Sequence, residues 1–171
     1  MGMRRAPIDT AESTDPEAAR EAALKLLDHA QRTRRELSRR LHDRGFEAAT
    51  VEAVLDRLAA VGLVDDVEYA RAWLAGRWGR RAAGWRRLEM ELSQKGVNRE
   101  DIGRARAILE QSIGAADEVE TARRVIGQAA RRYASLDPRV RRQRLYAMLA
   151  RKGFDADVIR QALELREPQE S

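Results

Sequence analysis

The sequence predicts an all-α protein, built as three tandem three-helix repeats that form an elongated, curved array. Apolar residues recur at helical spacing along the chain, and no segment shows the alternation of β-branched and aromatic residues typical of strands. One helix–cap–helix phrase occurs three times. Only 5% of the 171 residues are aromatic. Units of roughly 50 residues with so few aromatics are weak alone and gain stability from their neighbours.

The repeated phrase reads Leu-x3-Leu-x3-Gly-apolar. Its three copies lie at residues 37–46, 88–97 and 145–154. If the glycine is the left-handed residue just past a helix end, the second leucine and the final apolar residue occupy the two positions that touch in a Schellman cap. Six residues after each glycine comes an apolar residue that begins the buried face of the next helix: Val51, Ile102 or Ile159.

Capping residues place the starts of the helices. Asp15 and Asp137 each precede a proline, which is typical of an N-cap followed by the first helical residue. Thr33, Asp65 and Asn98 each stand three positions before an acidic residue, as in a capping box or a weaker variant of it. The predicted helices lie near residues 16–30, 33–44, 48–61, 66–79, 85–95, 99–112, 117–134, 138–152 and 156–166.

These nine helices fall into three units of three, which we place at residues 16–64, 65–115 and 116–166. Residues 1–14 are small, polar and unpatterned, and we interpret them as a disordered leader. Residues 167–171 contain a proline and two glutamates, and we interpret them as a frayed tail.

Composition excludes several classes of function. The sequence has no cysteine, which rules out a disulfide framework, a thiolate nucleophile and a cysteine-based zinc site. The two histidines, His29 and His42, match no metal-binding or catalytic spacing. No apolar run approaches the roughly 20 residues of a membrane helix, and the start of the chain has no apolar signal segment. We therefore expect a soluble, cytoplasmic protein that is not an enzyme, needs no cofactor or metal and binds no membrane.

Basic residues are concentrated in three runs. The chain has 33 basic and 28 acidic residues, a net charge of +5, and all but three of the basic residues are arginine. Residues 31–44, 69–88 and 123–144 carry +4, +6 and +7, so the rest of the chain carries −12. Because the runs recur around the start of each middle helix, they predict a stripe for an anionic partner such as nucleic acid or a protein–nucleic-acid filament. Ordinary solvation of arginine-rich helix faces is the alternative explanation.

Half of the aromatic residues, Tyr69, Trp73, Trp78 and Trp85, lie in the second run. Aromatics among arginines can stack on bases, but helical spacing favours Tyr69 and Trp73 as core residues and leaves Trp78 and Trp85 undecided. On charge density alone, the candidate contact residues are Arg77, Arg80, Arg81, Arg86, Arg87, Arg139, Arg141, Arg142 and Arg144.

Three phrases carry a likeness to a known family: Glu36-Leu37-x3-Leu41-x3-Gly45-Phe46, Gly62-Leu63-Val64-Asp65-Asp66-x2-Tyr69-Ala70 and Gly84-x3-Leu88-x3-Leu92-x2-Lys95-Gly96-Val97. In this order and spacing they resemble the bacterial RecX family, regulators of the RecA recombinase. The third copy of the repeated phrase follows the same plan, although the third unit is rich in arginine and alanine and its last helix is short. The resemblance covers about residues 18–165.

The resemblance implies a non-enzymatic modulator of DNA repair and the SOS response. Members of the family look like three three-helix repeats that lie in the groove of the RecA–DNA filament. They restrain the ATPase, strand-exchange and co-protease activities of RecA, and they have no catalytic residues to carry over. We expect a monomer that contacts RecA and, without sequence specificity, the phosphates of DNA.

Two other functions stay open at this point. A helix-turn-helix transcriptional repressor shares the helical units and the basic charge. Such a protein reads bases with Asn, Gln or Arg from one recognition helix, whereas Asn98 is the only asparagine here. A helical-repeat scaffold that binds only proteins is the third reading, in which the arginines are incidental.

Overall fold

The computed structural model describes residues 14–77, 83–113 and 118–164, and within these ranges it is all-α with nine helices and no strand. The helices are α1 (Pro16–His29), α2 (Arg34–His42), α3 (Ala48–Ala60), α4 (Asp66–Arg77), α5 (Trp85–Lys95), α6 (Arg99–Ile113), α7 (Glu118–Tyr133), α8 (Pro138–Arg151) and α9 (Ala156–Glu164). Each predicted helix is present, and every predicted bound that falls on described residues agrees to within about two residues, whereas the predicted bounds at residues 79, 117 and 166 lie outside the described residues. Apart from Thr14, the predicted leader and tail lie outside the described residues and stay predictions.

The predicted Schellman caps close the middle helix of each unit. Gly45, Gly96 and Gly153 have φ angles of 92°, 100° and 87°, in the left-handed region that favours glycine. In each cap the amide of the apolar residue after the glycine donates to the carbonyl of the second leucine of the phrase, at 3.2 or 3.3 Å. Each copy of the repeated phrase therefore ends its helix with the same Schellman cap.

Each unit has its own hydrophobic core, formed by α1–α3, α4–α6 or α7–α9. The residues of the repeated phrase lie in these cores and are at most 8% exposed: Leu37, Leu41, Phe46, Leu88, Leu92, Val97, Leu145, Leu149 and Phe154. Val51, Ile102 and Ile159 are buried beside them, as predicted. The structure is thus the predicted array of three three-helix units. The exact boundaries between the units stay a prediction, since residues 114–117 are not among those described.

The first joint between units sets the end of α5 on the start of α2. The Thr33 hydroxyl donates to the Lys95 carbonyl at 2.8 Å, and the Arg35 guanidinium donates to the Gln94 carbonyl at 2.7 Å. A Cβ atom on Gly96 would lie 2.6 Å from the Cβ of Arg35, so only glycine permits this approach. These contacts use carbonyls that the end of α5 leaves without helical partners.

The second joint repeats this arrangement between α8 and α5. The Gly84 amide donates to the Lys152 carbonyl at 3.0 Å. A Cβ on Gly84 would lie 2.3 Å from the Gly153 carbonyl oxygen, and a Cβ on Gly153 would lie 2.5 Å from the Cβ of Arg87. Thr33 and Gly84 both stand four residues before the first leucine of their phrase, so the two joints use equivalent positions.

A carboxylate from the following unit completes each joint. The first backbone amide of α2, at Arg34, donates to Asp66 at 2.8 Å, and the first amide of α5, at Trp85, donates to Glu118 at 2.9 Å. Burial raises the pKa of both carboxyls, although the hydrogen bond from the amide favours their charged forms. An acid at the start of α4 therefore caps α2, and an acid at the start of α7 caps α5.

As a result, α8, α5 and α2 lie end to end, with the carboxyl end of each meeting the amino end of the next. This order places the negative end of one helix dipole against the positive end of another, which is favourable. The extensive helix packing in the described chain occurs within units, so the joints are narrow. The array therefore extends along the line of its middle helices.

Candidate functional site

Positive charge is segregated onto this line of middle helices. Together α2, α5 and α8 carry twelve Arg or Lys residues and three Glu, whereas the first helices and the third helices of the units are each close to neutral. We call the exposed cations of the three middle helices the basic axis: Arg35, Arg39, Arg86, Arg87, Lys95, Arg139, Arg141, Arg142, Arg144 and Arg151. The predicted basic stripe thus has a structural basis in the end-to-end joints.

A groove with cationic walls lies at the first joint. It has a volume of about 290 Å³, and it is lined by Arg35, Glu36, Arg39, Gln94 and Lys95. A second groove of about 500 Å³ continues from Gln94 and Lys95 along α5, past Met90. Because the two grooves share Gln94 and Lys95, they form one shallow surface, whose part along α5 is also lined by Arg87 and Glu91.

The one acid in the first groove is neutralised by its neighbours. Glu36 accepts hydrogen bonds from Arg32 and, at 3.0 Å, from Arg40. Burial works against its ionisation, but these two guanidiniums lower its pKa below the ordinary value. Arg34 is likewise committed, since it binds Glu52 at 2.5 Å and Asp56 at 2.7 Å across to α3. Of the exposed arginines on α2, Arg35 donates to the Gln94 carbonyl, and Arg39 has no ion pair with another described residue.

The structure separates the candidates of the second basic run. Arg77 is half-buried, with its guanidinium 4.0 Å from the Trp73 ring centroid, so it is part of the packing of the second unit. Arg80 and Arg81 lie outside the described residues, as does Trp78. Arg86 is exposed on α5.

Arg87, the remaining candidate of this run, is also exposed on α5. It donates to Glu91 at 3.1 Å and packs against Gly153 in the second joint. Of the five candidates in the run, the structure therefore brings Arg86 and Arg87 onto the basic axis, and Arg87 also has a structural role.

The candidates of the third run lie together on α8. Arg139, Arg141, Arg142 and Arg144 are all exposed, within two turns of one helix. Among the described helices α8 alone has no acidic residue. The sequence therefore located this part of the axis by charge density alone.

Three aromatic residues of the second run, Tyr69, Trp73 and Trp85, pack in the core of the second unit. Trp73 and Trp85 are 9% and 3% exposed, and Tyr69 is half-buried against them. The guanidinium of Arg106 stacks 4.5 Å from the Trp85 ring centroid, and ion pairs to Glu89 and Glu110 hold it there. The prediction for Trp73 is confirmed, and Trp85, which sequence left undecided, is structural.

Nothing in the described residues indicates a catalytic or metal centre. They contain no group of three His, Asp or Glu side chains arranged to hold a metal ion. The same ranges include no helix that is long and apolar enough to cross a membrane.

Comparison with known proteins agrees with this architecture. Models of the first, second and third three-helix domains of RecX match residues 19–58, 65–105 and 116–163. The chain belongs to the RecX family. The regulatory protein RecX of Mycobacterium avium (strain 104) is 40% identical to it over 154 residues, which cover 89% of this chain and 86% of that protein. RecX of Thermobifida fusca (strain YX) is 38% identical over 150 residues, which cover 85% and 79%.

A solved structure shows the same fold. The crystal structure of RecX from Lactobacillus salivarius superposes with a TM-score of 0.79 at 23% identity, covering 88% of this chain and 95% of that one. RecX proteins are regulatory proteins, and RecX is not a known enzyme family. The chain therefore has the RecX architecture and a regulatory role.

Sequence reasoning missed some members of the basic axis in the first two RecX domains. The predicted contact residues come from the second and third basic runs, whereas Arg35 and Arg39 lie in the first. Lys95 lies outside all three runs. The signal that could have found Lys95 is its place just before the glycine of the repeated phrase, where the third copy also has a lysine, Lys152.

Proposed function

We propose that this chain is a monomeric, cytoplasmic regulator that binds the RecA–DNA filament and inhibits the ATPase, strand-exchange and co-protease activities of RecA in DNA repair and the SOS response. Membership of the RecX family supports the regulatory role. One structural observation carries the mode of binding: the joints place three basic helices end to end.

The length of the basic axis suits a filament. At about 1.5 Å per residue, the three middle helices extend about 50 Å, the length of roughly 15 base pairs of duplex. Cations along this length contact several phosphates or several filament subunits at once. Each contact can be weak, because the linked contacts act with a high effective concentration on one another. DNA contacts of this kind are independent of sequence.

The repressor alternative has little support in the geometry. Asn98, the residue type best suited to read adenine, is the N-cap of α6 and binds Asp101 through both its amide nitrogen and its oxygen, at 2.6 and 2.8 Å. DNA binding that prefers one sequence would favour the repressor. Binding that is equal across sequences and falls steeply with salt supports the proposal.

The direct test follows ATP hydrolysis by purified RecA on single-stranded DNA while this protein is added. The proposal predicts inhibition that saturates. Unchanged hydrolysis at saturating protein would contradict it and favour the protein-only scaffold.

A charge-reversal variant tests the basic axis. Arg39→Glu, Arg86→Glu and Arg139→Glu together change one exposed arginine per unit, and none of the three guanidiniums has a hydrogen bond or ion pair with another described residue. We expect loss of inhibition with the helical circular dichroism unchanged. The matched control reverses Arg57, Arg99 and Arg131, one exposed arginine per unit on α3, α6 and α7, which gives the same net charge. Equal loss in both triple variants would show that only net charge matters.

A further inference from the structure

Tyr146 differs from the other aromatic residues of the described chain. It lies on α8 and is 40% exposed, whereas Phe46, Trp73, Trp85 and Phe154 are buried and Tyr69 and Tyr133 are half-buried. Within the described residues it has no hydrogen bond and no cation over its ring, in contrast to Tyr133, over which the guanidinium of Arg132 lies at 5.8 Å. Tyr146 is therefore the most exposed aromatic side chain of the described residues.

The surroundings of Tyr146 are cationic and polar. Arg139, Arg142 and Gln143 precede it by seven, four and three residues, so helical spacing puts them on its side of α8. No carboxylate on α8 opposes them. The ring of Tyr146 thus has guanidiniums one and two helical turns away. Proteins that bind single-stranded nucleic acids combine an aromatic side chain, on which a base stacks, with nearby cations that bind the phosphates.

We propose that Tyr146 is a stacking platform for an unpaired base of single-stranded DNA, with the neighbouring arginines on the flanking phosphates. This rests on the proposed function and specifies the form of DNA that the third unit prefers. In a duplex the faces of the bases are covered by their neighbours, so a duplex contacts the arginines alone. An acidic protein segment would likewise use the arginines and leave the ring without a partner.

The test measures fluorescence anisotropy of three labelled oligonucleotides with the full chain: oligo-dT of about 20 nucleotides, a duplex of equal length, and an abasic strand with the same phosphates. Tyr146→Ala weakens binding to oligo-dT about tenfold and leaves the other two unchanged. The dependence of its affinity on salt keeps the slope of the unmodified protein, because no phosphate contact is lost. Tyr146→Phe retains the ring and binds oligo-dT as the unmodified protein does.

Arg139→Ala is the comparison variant. It weakens binding to all three oligonucleotides and lowers the salt slope by about one, because it removes a phosphate contact. Loss of all three affinities in Tyr146→Ala, no loss in any of them, or an equal loss in Tyr146→Phe would overturn the stacking proposal. RecA is absent from this experiment, so its outcome is separate from the inhibition assay that tests the proposed function.

Discussion

At the scale of single residues, glycines decide how closely the units approach one another. Gly153 meets Arg87 across the second joint, whereas Gly62, at the end of α3, has the same left-handed backbone and open space around it. A substitution at Gly62 costs only the strain of a left-handed backbone in a residue that has a Cβ. At Gly153 an added side chain must also displace α5.

This contrast gives a matched pair of substitutions. Gly62→Ala should lower the free energy of unfolding by about 1 kcal/mol, the cost of the left-handed conformation. Gly153→Ala should lower it by about 3 kcal/mol, because the added Cβ lies 2.5 Å from Arg87 as well. Urea unfolding measures both. Equal losses would show that the second joint contributes nothing to stability.

The buried acid of the second joint gives a pH dependence. Burial raises the pKa of Glu118, and the nearby Asp155 and Glu89 add to this while the Trp85 amide and Arg106 oppose it, so ionising Glu118 is less favourable in the folded protein than in the unfolded chain. The stability that Glu118 contributes should therefore rise as the pH falls from neutral through its raised pKa, and should level off below the ordinary value of 4.5.

Glu118→Gln keeps an oxygen that accepts from the Trp85 amide but has no charge to bury. We expect this variant to be at least as stable as the unmodified protein at pH 7, with the difference shrinking on acidification. Glu118→Ala should lose about 1 kcal/mol, since the cap of α5 is gone. Thermal unfolding from pH 7 to pH 4.5 checks this. A Gln variant that is less stable than the unmodified protein at pH 7 contradicts the assignment.

At the scale of elements, the start of α2 is held from both sides. The Thr33 oxygen accepts from the Glu36 amide at 3.2 Å as the N-cap, and its hydroxyl donates to Lys95 of the second unit. Only half of the capping box predicted from sequence is formed. The Glu36 carboxylate accepts hydrogen bonds from Arg32 and Arg40 instead of one from the backbone amide of Thr33. One buried hydroxyl therefore serves both the helix and the joint.

Thr33→Ala should lower the free energy of unfolding by about 2 kcal/mol, since a cap and a buried hydrogen bond are lost together. Thr33→Ser keeps the hydroxyl and should recover most of that stability. Chemical denaturation of the two variants measures the difference. A serine variant as unstable as the alanine variant would mean that the methyl group, not the hydroxyl, holds the joint.

At the scale of the whole molecule, separate cores and narrow joints predict an extended shape. A globular chain of 171 residues has a radius of gyration of about 16 Å. Small-angle X-ray scattering should give a larger value for this protein. A value at or below that of a globule would contradict the extended array.

Gly84→Val forces a side chain onto the Gly153 carbonyl, 2.3 Å from the new Cβ. It should increase the radius of gyration further while the helical circular dichroism is kept, because the third unit has its own core. Gly103→Val is the control, since Gly103 on α6 has nothing within 4 Å of an added Cβ. An unchanged radius in Gly84→Val would show that the second joint does not hold the units together.

The helices and their grouping in threes follow from the order of the residues alone. The interactions that decide them are local: Asp15 caps amides two and three residues away, and Phe46 closes its Schellman cap five residues after Leu41. Such contacts join residues two to five positions apart, so the spacing of residue types along the sequence is enough to predict them. The arginines of α8 were found for the same reason, because a run of charge without acids is visible in sequence.

How the units join, and which of the described arginines face solvent, depends on contacts between residues far apart in the chain. Thr33 and Lys95 are 62 residues apart, and Trp85 and Glu118 are 33 apart, so their hydrogen bonds leave no local pattern. Arg77 and Arg86 look alike in sequence, yet one stacks on a buried tryptophan and the other faces solvent. The direction in which a side chain points depends on which helix packs beside it, and the packing at the joints brings the basic middle helices of the three units into one line.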